Sequence, residues 1–245
     1  MTGTEETLSW LNESLQQYFV KEALLKHTAL SEITVYRHRS TDMKLLVRRS
    51  RNRNDEVYRL LLTARLPHLP QIYEVISTPE ELIVLEEYLE GEPLAARLES
   101  GPLSKAHAYR YTRQLCQAAG ALHRRGIVHR DIKPSNILLC GDELKLIDFN
   151  ISRQLRKEVQ ADTLPLGSIG YAPPEQFGLT QTGPASDIYA IGVVFNEMLT
   201  GHSPAVELAP GYAGHIVQRC VRMRSEDRYP NAAALQQALR RPFWL

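Results

Sequence analysis

The sequence predicts an α+β fold in two parts, a small sheet-rich part followed by a larger helical one. Three observations carry this. Short runs of β-branched and apolar residues dominate up to about residue 86, and helical periodicity dominates after residue 91. The glycines change with them, since after Gly3 none occurs until Gly91. The 245 residues suffice for one large domain or two small lobes around a buried core.

Leu8, Leu11, Leu15 and Phe19 recur at helical spacing and predict an amphipathic opening helix. Residues 33–39 and 45–49 flank Ser40-Thr41-Asp42 and read as a hairpin. Residues 56–66 are helical in pattern and stop at Pro67. Residues 72–76 and 82–85, split by Thr78-Pro79-Glu80, read as two further strands. Beyond Gly91, residues 105–125 form a long helical pattern that ends at Gly126. Two short strands follow at 137–139 and 144–147, then an exposed polar loop over 152–170. Residues 187–199 predict an apolar helix, and 213–221 and 232–239 two closing helices.

Composition excludes several classes. With 43% apolar and 23% charged residues, this is not a disordered composition. Lys and Arg total 29 against 28 Asp and Glu, so no overall field points to nucleic acid or a membrane surface. The arginines within residues 37–53 have no interleaved aromatic beyond the preceding Tyr36 and read as a solvated hairpin face. Cys116, Cys140 and Cys220 are too few and scattered for a disulfide framework or a Cys-based zinc site. The opening MTGTEETLSW is acidic and polar, unlike a signal peptide. The longest apolar run, 188–195, falls far short of the roughly 20 residues of a membrane span. A cytoplasmic protein is expected.

One segment carries the chemistry: His129-Arg130-Asp131-Ile132-Lys133-Pro134-Ser135-Asn136. Asp148-Phe149-Asn150 follows, then Gly167-Ser168-Ile169-Gly170-Tyr171-Ala172-Pro173-Pro174-Glu175. Taken singly, Asp131 and Asp148 read equally well as loop residues that cap helices or turns. The three motifs together, in this order and spacing, do not. At these residues, and over about residues 18–229, the chain resembles the eukaryotic-like (Hanks-type) protein kinases, specifically their bacterial serine/threonine branch.

The resemblance implies a bilobal protein-kinase-like fold, with a small β-rich N-lobe and a larger α-helical C-lobe. Residues 1–17 would be a helical extension and 18–245 the kinase domain, its lobes at about 18–86 and 92–245. It implies ATP and Mg²⁺ or Mn²⁺, with the carboxylate of Asp148 and the amide oxygen of Asn136 as hard metal ligands. Asp131 would orient the attacking hydroxyl and accept its proton, and Lys133 would lie near the transferring phosphate, as in serine/threonine kinases. Glu86 and Tyr88 would belong to the connector whose backbone meets adenine. Glu175 would pair with Arg228, Asp187 would brace the catalytic loop, and Ser168 would contact Asp131. His129 would serve packing and hydrogen bonding. Arg130 before Asp131 is the form associated with activation-loop phosphorylation. Thr163 is the best acceptor there and Ser152 and Ser168 are poorer ones, although Thr163 reads more readily as a plain polar loop residue.

Several positions depart from the family. No glycine stands in residues 27–36, where the family has a Gly-rich loop. Arg48 takes the place of the phosphate-contacting Lys, and counting back from His68 puts Arg59 at the place of its Glu partner. Two like charges repel, so either Lys44 reaches the site or Glu56, about one helical turn from Arg59, is the partner. Asn150 replaces a glycine but tolerates positive φ. Pro173 replaces an alanine. Between Gly201 and Gly214 there is space for only a short connection, so the helix that helps dock protein substrates in larger relatives is expected to be missing or reduced.

The function expected is a serine/threonine protein kinase that transfers the γ-phosphoryl of ATP to a Ser or Thr hydroxyl of a protein substrate. The alternative is a pseudokinase acting as a nucleotide-binding or scaffolding module. A small-molecule phosphotransferase of related fold is disfavoured by Lys133 and by residues 167–175. The partners expected are ATP, a protein substrate and a regulatory partner protein, with no nucleic acid and no membrane.

Overall fold

The structure, a computed structural model, describes residues 3–51, 54–155, 168, 170–173, 175 and 182–240. Two compact units form, Met1–Arg65 with Pro70–Leu89, and Leu66–Leu69 with Glu90–Leu245. This is the bilobal, mixed α and β composition expected.

The first unit opens with helix α1 (Gly3–Tyr18) and runs through strands β1 (Phe19–His27), β2 (Ser31–His38) and β3 (Lys44–Ser50). Helix α2 (Asp55–Leu62) and strands β4 (Ile72–Ser77) and β5 (Leu82–Glu87) complete it. The strands form one antiparallel sheet in the order β1-β2-β3-β5-β4. β1 has no counterpart among the sequence expectations. It is an edge strand with two register shifts, and most of its residues are exposed on both faces, so no period-two pattern marks it. Helix α2 ends at Leu62, earlier than expected, where the Thr63 amide turns back to the Leu61 carbonyl.

Side chains alternate across a strand, so each face of β3 has its own neighbours. Leu45 and Val47 pack with Ile76, Ile83 and the α1 residues Leu11 and Leu15. On the same face Arg49 donates to Asn12 Oδ1 at 3.0 Å and to Glu81 Oε1 at 2.6 Å. Lys44, Leu46, Arg48 and Ser50 point to the opposite face. There, α2 is fastened by its Asp55 carboxylate to the Ser77 hydroxyl. The arginine-rich hairpin is therefore not a uniformly solvated face: Arg48 is 3% exposed and Arg49 is held by α1.

The second unit is built on helices α3 (Leu94–Glu99), α4 (Lys105–His123), α5 (Pro184–Thr200), α6 (Gly211–Cys220) and α7 (Ala232–Ala238). Strands β6 (Glu92–Pro93), β8 (Ile137–Cys140) and β9 (Glu143–Leu146) form one small sheet, and β7 (Ile127–Val128) pairs with β10 (Arg153–Gln154). Ser104 caps α4 by accepting the His107 amide at 3.3 Å. The chain leaves α4 through Gly126 at φ +71°. Tyr109 meets Phe195 edge to face at 4.9 Å, joining α4 to α5. A Cβ on Gly192 would run into the Cys220 Cβ, so this glycine lets α6 approach α5. No helix forms over residues 201–210, as the short connection implied. Among the described residues, no helix is long and apolar enough to cross a membrane.

Candidate active site

The segment 129–136 is fastened from below by α5. Asp187, in the first turn of that helix and 1% exposed, accepts the His129 amide at 3.0 Å and the Arg130 amide at 2.9 Å. His123, at the end of α4, reaches the same carboxylate at 2.7 Å. Burial pushes the Asp187 carboxyl up, but His123 and the amide donors outweigh it and hold it below its usual range. The sequence marks Asp187 as a brace; it gives no sign of His123, which lies far away in the chain. Arg130 adopts φ +71°, a backbone conformation that residues with side chains rarely take, and the hydrogen bond its amide donates to Asp187 holds it there.

His129 is fully buried, and burial pulls its imidazole below the ordinary range against the opposing pull of Asp187. Its network fits a neutral ring: Nδ1 accepts the Asp131 amide and Nε2 donates to the Ile147 carbonyl, each at 3.3 Å. The ring packs edge-on against Phe149 at 5.5 Å.

This scaffold presents Asp131 within a closed set of donors. Ser168 Oγ donates to Asp131 Oδ1 at 2.7 Å, while Lys133 Nζ and Asn136 Nδ2 each lie 2.8 Å from Oδ2. Lys133 also donates to Ser168 Oγ at 2.7 Å, which closes the ring. Asn136 donates again to the Asp131 carbonyl at 2.9 Å. Both donor hydrogens of the Asn136 amide thus face Asp131, and its carbonyl oxygen is left for another partner. The Ile147 amide donates to the Asn136 backbone carbonyl at 2.9 Å, so the Asp148 backbone follows directly beside Asn136. A carboxylate and an amide oxygen are donor types that suit a hard divalent cation.

Asp148 itself carries the positive φ, +70°, with its Oδ1 accepting the Asn150 amide at 3.2 Å. Asn150 is not among the left-handed residues. The replacement of glycine there is therefore tolerated because the turn is made at Asp148, and not because Asn accepts positive φ.

The segment after it is described only in part. Thr163 lies outside the described residues. Ser152 does not sit in an exposed loop: it is 5% exposed and donates to the His129 carbonyl at 3.0 Å, with Arg153–Gln154 forming β10. That corrects its reading as a modification site. Glu175 meets Arg228 as expected, Nη1 to Oε1 at 2.6 Å and Nη2 to Oε2 at 2.9 Å. Tyr171 donates to Glu197 of α5, 3.0 and 2.9 Å from its two oxygens, a contact the sequence did not signal.

In the first unit Arg48 has a partner that the sequence did not signal. Its Nε and Nη2 donate to Glu86 Oε1 at 3.2 and 3.1 Å, with both side chains 4% exposed. Glu56 and Arg59 lie on exposed positions of α2. Glu86 is not part of a loose connector. It is a β5 residue in register with Leu46 on one side and Ile72 on the other. Lys44 Nζ lies 2.8 Å from Glu22 Oε1 and 5.4 Å over the Tyr88 ring. The turn that stands for the Gly-rich loop is also closed on itself. Thr28 Oγ1 accepts the Leu30 and Ser31 amides at 3.4 and 3.0 Å, and the Thr28 amide donates to the Ser31 carbonyl at 2.9 Å.

The protein kinase domain family matches residues 26–240, and the chain belongs to it. It is 36% identical to sucrose non-fermenting protein kinase 1 of Fusarium virguliforme over 163 residues, 66% of this chain and 23% of that protein. It is 30% identical to the carbon catabolite-derepressing protein kinase of Secale cereale over 209 residues, 79% and 41% of the two chains. It is 33% identical to the probable serine/threonine-protein kinase PkwA of Thermomonospora curvata over 161 residues, 62% and 22%. The matches thus span 23%, 41% and 22% of these relatives' lengths.

Proposed function

We propose that this chain is a serine/threonine protein kinase that transfers the γ-phosphoryl of ATP to Ser or Thr hydroxyls of protein substrates. The observation that carries this is the Asp131 carboxylate held by Ser168, Lys133 and Asn136. A carboxylate fixed at both oxygens can orient an incoming hydroxyl and accept its proton as the oxygen–phosphorus bond forms and the bond to the leaving diphosphate breaks. Lys133, beside Asp131, lends positive charge where negative charge builds up on the transferring group. Asn136 and Asp148 would hold Mg²⁺ or Mn²⁺, which when bound neutralises charge on the phosphate oxygens. Arg48 would contact phosphate from the first unit, with Glu86 and Tyr88 near the adenine end. Cytoplasmic location, a regulatory partner protein and membership of the bacterial branch belong to the same reading. Similarity to the Thermomonospora curvata protein supports the last of these.

A second reading, a nucleotide-binding or scaffolding pseudokinase, is favoured by one observation. The turn at Thr28–Ser31 uses its own amides, which a phosphate would otherwise meet. The test is transfer of radiolabelled γ-phosphate to generic protein substrates with Mg²⁺ or Mn²⁺, comparing the protein with Asp131→Asn and Asp148→Asn. Incorporation at least about 100-fold above both variants is expected. Incorporation equal to theirs, with a nucleotide-dependent rise in melting temperature, would establish the pseudokinase instead.

A further inference from the structure

We propose that a cleft between helices α6 and α7 binds a phosphate monoester carried on a flat apolar body, held by Arg219 and Arg240. None of its lining residues takes part in the kinase reading above, so the two stand or fall separately.

Helical spacing sets the walls. Tyr212 and Arg219 are seven residues apart in α6, two turns along one face, with the buried Ile216 between them. Ala234, Gln237 and Ala238 follow the i, i+3, i+4 pattern on α7, and Arg240 comes just after its last turn. With Tyr229 these residues line a cleft of about 540 Å³, a volume suited to a small organic molecule.

The charge of the cleft is one-sided. Its lining holds two arginines and no acid. Arg219 is exposed at the end of α6, its guanidinium carbon 4.5 Å over the centre of the Tyr229 ring. That contact positions the charge without neutralising it. Among the described residues neither Arg219 nor Arg240 is in an ion pair, whereas the nearby Arg224 is paired with Glu226. The carbonyls at the end of α7 would repel an anion, but they are engaged. Tyr212 Oη donates to the Ala238 carbonyl and Arg113 Nη1 to the Leu239 carbonyl, each at 3.5 Å.

Two positive charges without a counter-charge call for a dianion. A phosphate monoester carries close to two negative charges at neutral pH and takes paired bonds from a guanidinium, while a carboxylate would balance only one arginine. The Tyr212 and Tyr229 rings and the methyl groups of Ala234 and Ala238 make the remaining walls apolar, which suits an aryl body. Two sources offer this chemistry, a small phosphate ester and a phosphorylated side chain of a peptide.

The experiment titrates the isotope-labelled full chain, without nucleotide, and follows backbone amide shifts by NMR. Phenyl phosphate should move the amides of residues 211–220 and 232–240 with a Kd below about 1 mM. Arg219→Gln and Arg240→Gln should each weaken binding at least about fivefold, and Arg219→Lys by less than Arg219→Gln. Benzoate should bind the wild-type protein at least about fivefold more weakly than phenyl phosphate. Both arginines are exposed, so the variants should melt within about 2 °C of the wild type. No saturable shift up to about 10 mM, or shifts centred on residues 129–136 and 148, would overturn the proposal. So would benzoate binding as tightly as phenyl phosphate, or unchanged affinity in both glutamine variants. A phosphotyrosine peptide that binds at least about tenfold tighter than phenyl phosphate supports the peptide source, and equal or weaker binding supports the small ester.

Discussion

Arg228 closes on Glu175 with two parallel bonds, while its Nε and both Nη atoms also donate to the carbonyls of Arg222, Ala185 and Met223. A fully buried guanidinium is here satisfied at every edge, and it ties position 175 to the turns that follow α6. Burial pushes the Glu175 carboxyl up, but the bonds from Arg228 outweigh this and leave it below its ordinary range.

Removing one member of this pair leaves the other charge buried and alone. Glu175→Gln should destabilise the second unit by about 3 kcal/mol. Arg228→Lys should destabilise it comparably, because a single ammonium cannot reach the carboxylate and three carbonyls together. Urea unfolding followed by circular dichroism checks both. Losses under about 1 kcal/mol would mean that the pair is not structurally important.

Acid should unfold the protein through the same groups. Glu175 and Asp187 both have depressed folded-state values, so the unfolded chain takes up their protons first, near the ordinary pKa of roughly 4. Their contribution is present above that pH and is lost as pH falls through the folded values. Melting temperature should therefore drop steeply below about pH 4, and Asp187→Asn should flatten that limb while lowering stability at neutral pH.

Ser168 bonds Asp131 Oδ1 and receives Lys133, without being part of a core. Ser168→Ala should lower kcat about tenfold with stability changed by less than about 1 kcal/mol. Steady-state phosphate transfer and thermal melts would show the split. A change in stability alone would remove Ser168 from the catalytic arrangement.

Helix α1 is part of the first unit's core. Leu15→Ala should cost about 2–4 kcal/mol, whereas Trp10→Ala, at a position 62% exposed, should stay within about 0.5 kcal/mol. Denaturant midpoints of the two variants measure the difference.

The residues proposed as catalytic were legible in the sequence because they are local. Asp131, Lys133 and Asn136 fall within one turn-rich loop, and their mutual bonds follow from short spacing. The opening amphipathic helix and the hairpin were legible for the same reason, from periodicity over neighbouring residues. What the helix covers was not, since Leu11 and Leu15 meet residues as distant as Ile83. β1 escaped because an exposed, bulged edge strand leaves no alternation to read. Counting residues along α2 does not reveal Glu86 as a partner of Arg48, because the pairing of β3 with β5 brings the two together. His123 at Asp187 and Glu197 at Tyr171 are of the same kind. Local spacing determines which groups carry the chemistry. Long-range pairing in sheets and between helices decides which charges face each other, because contact there depends on register and packing rather than on distance along the chain.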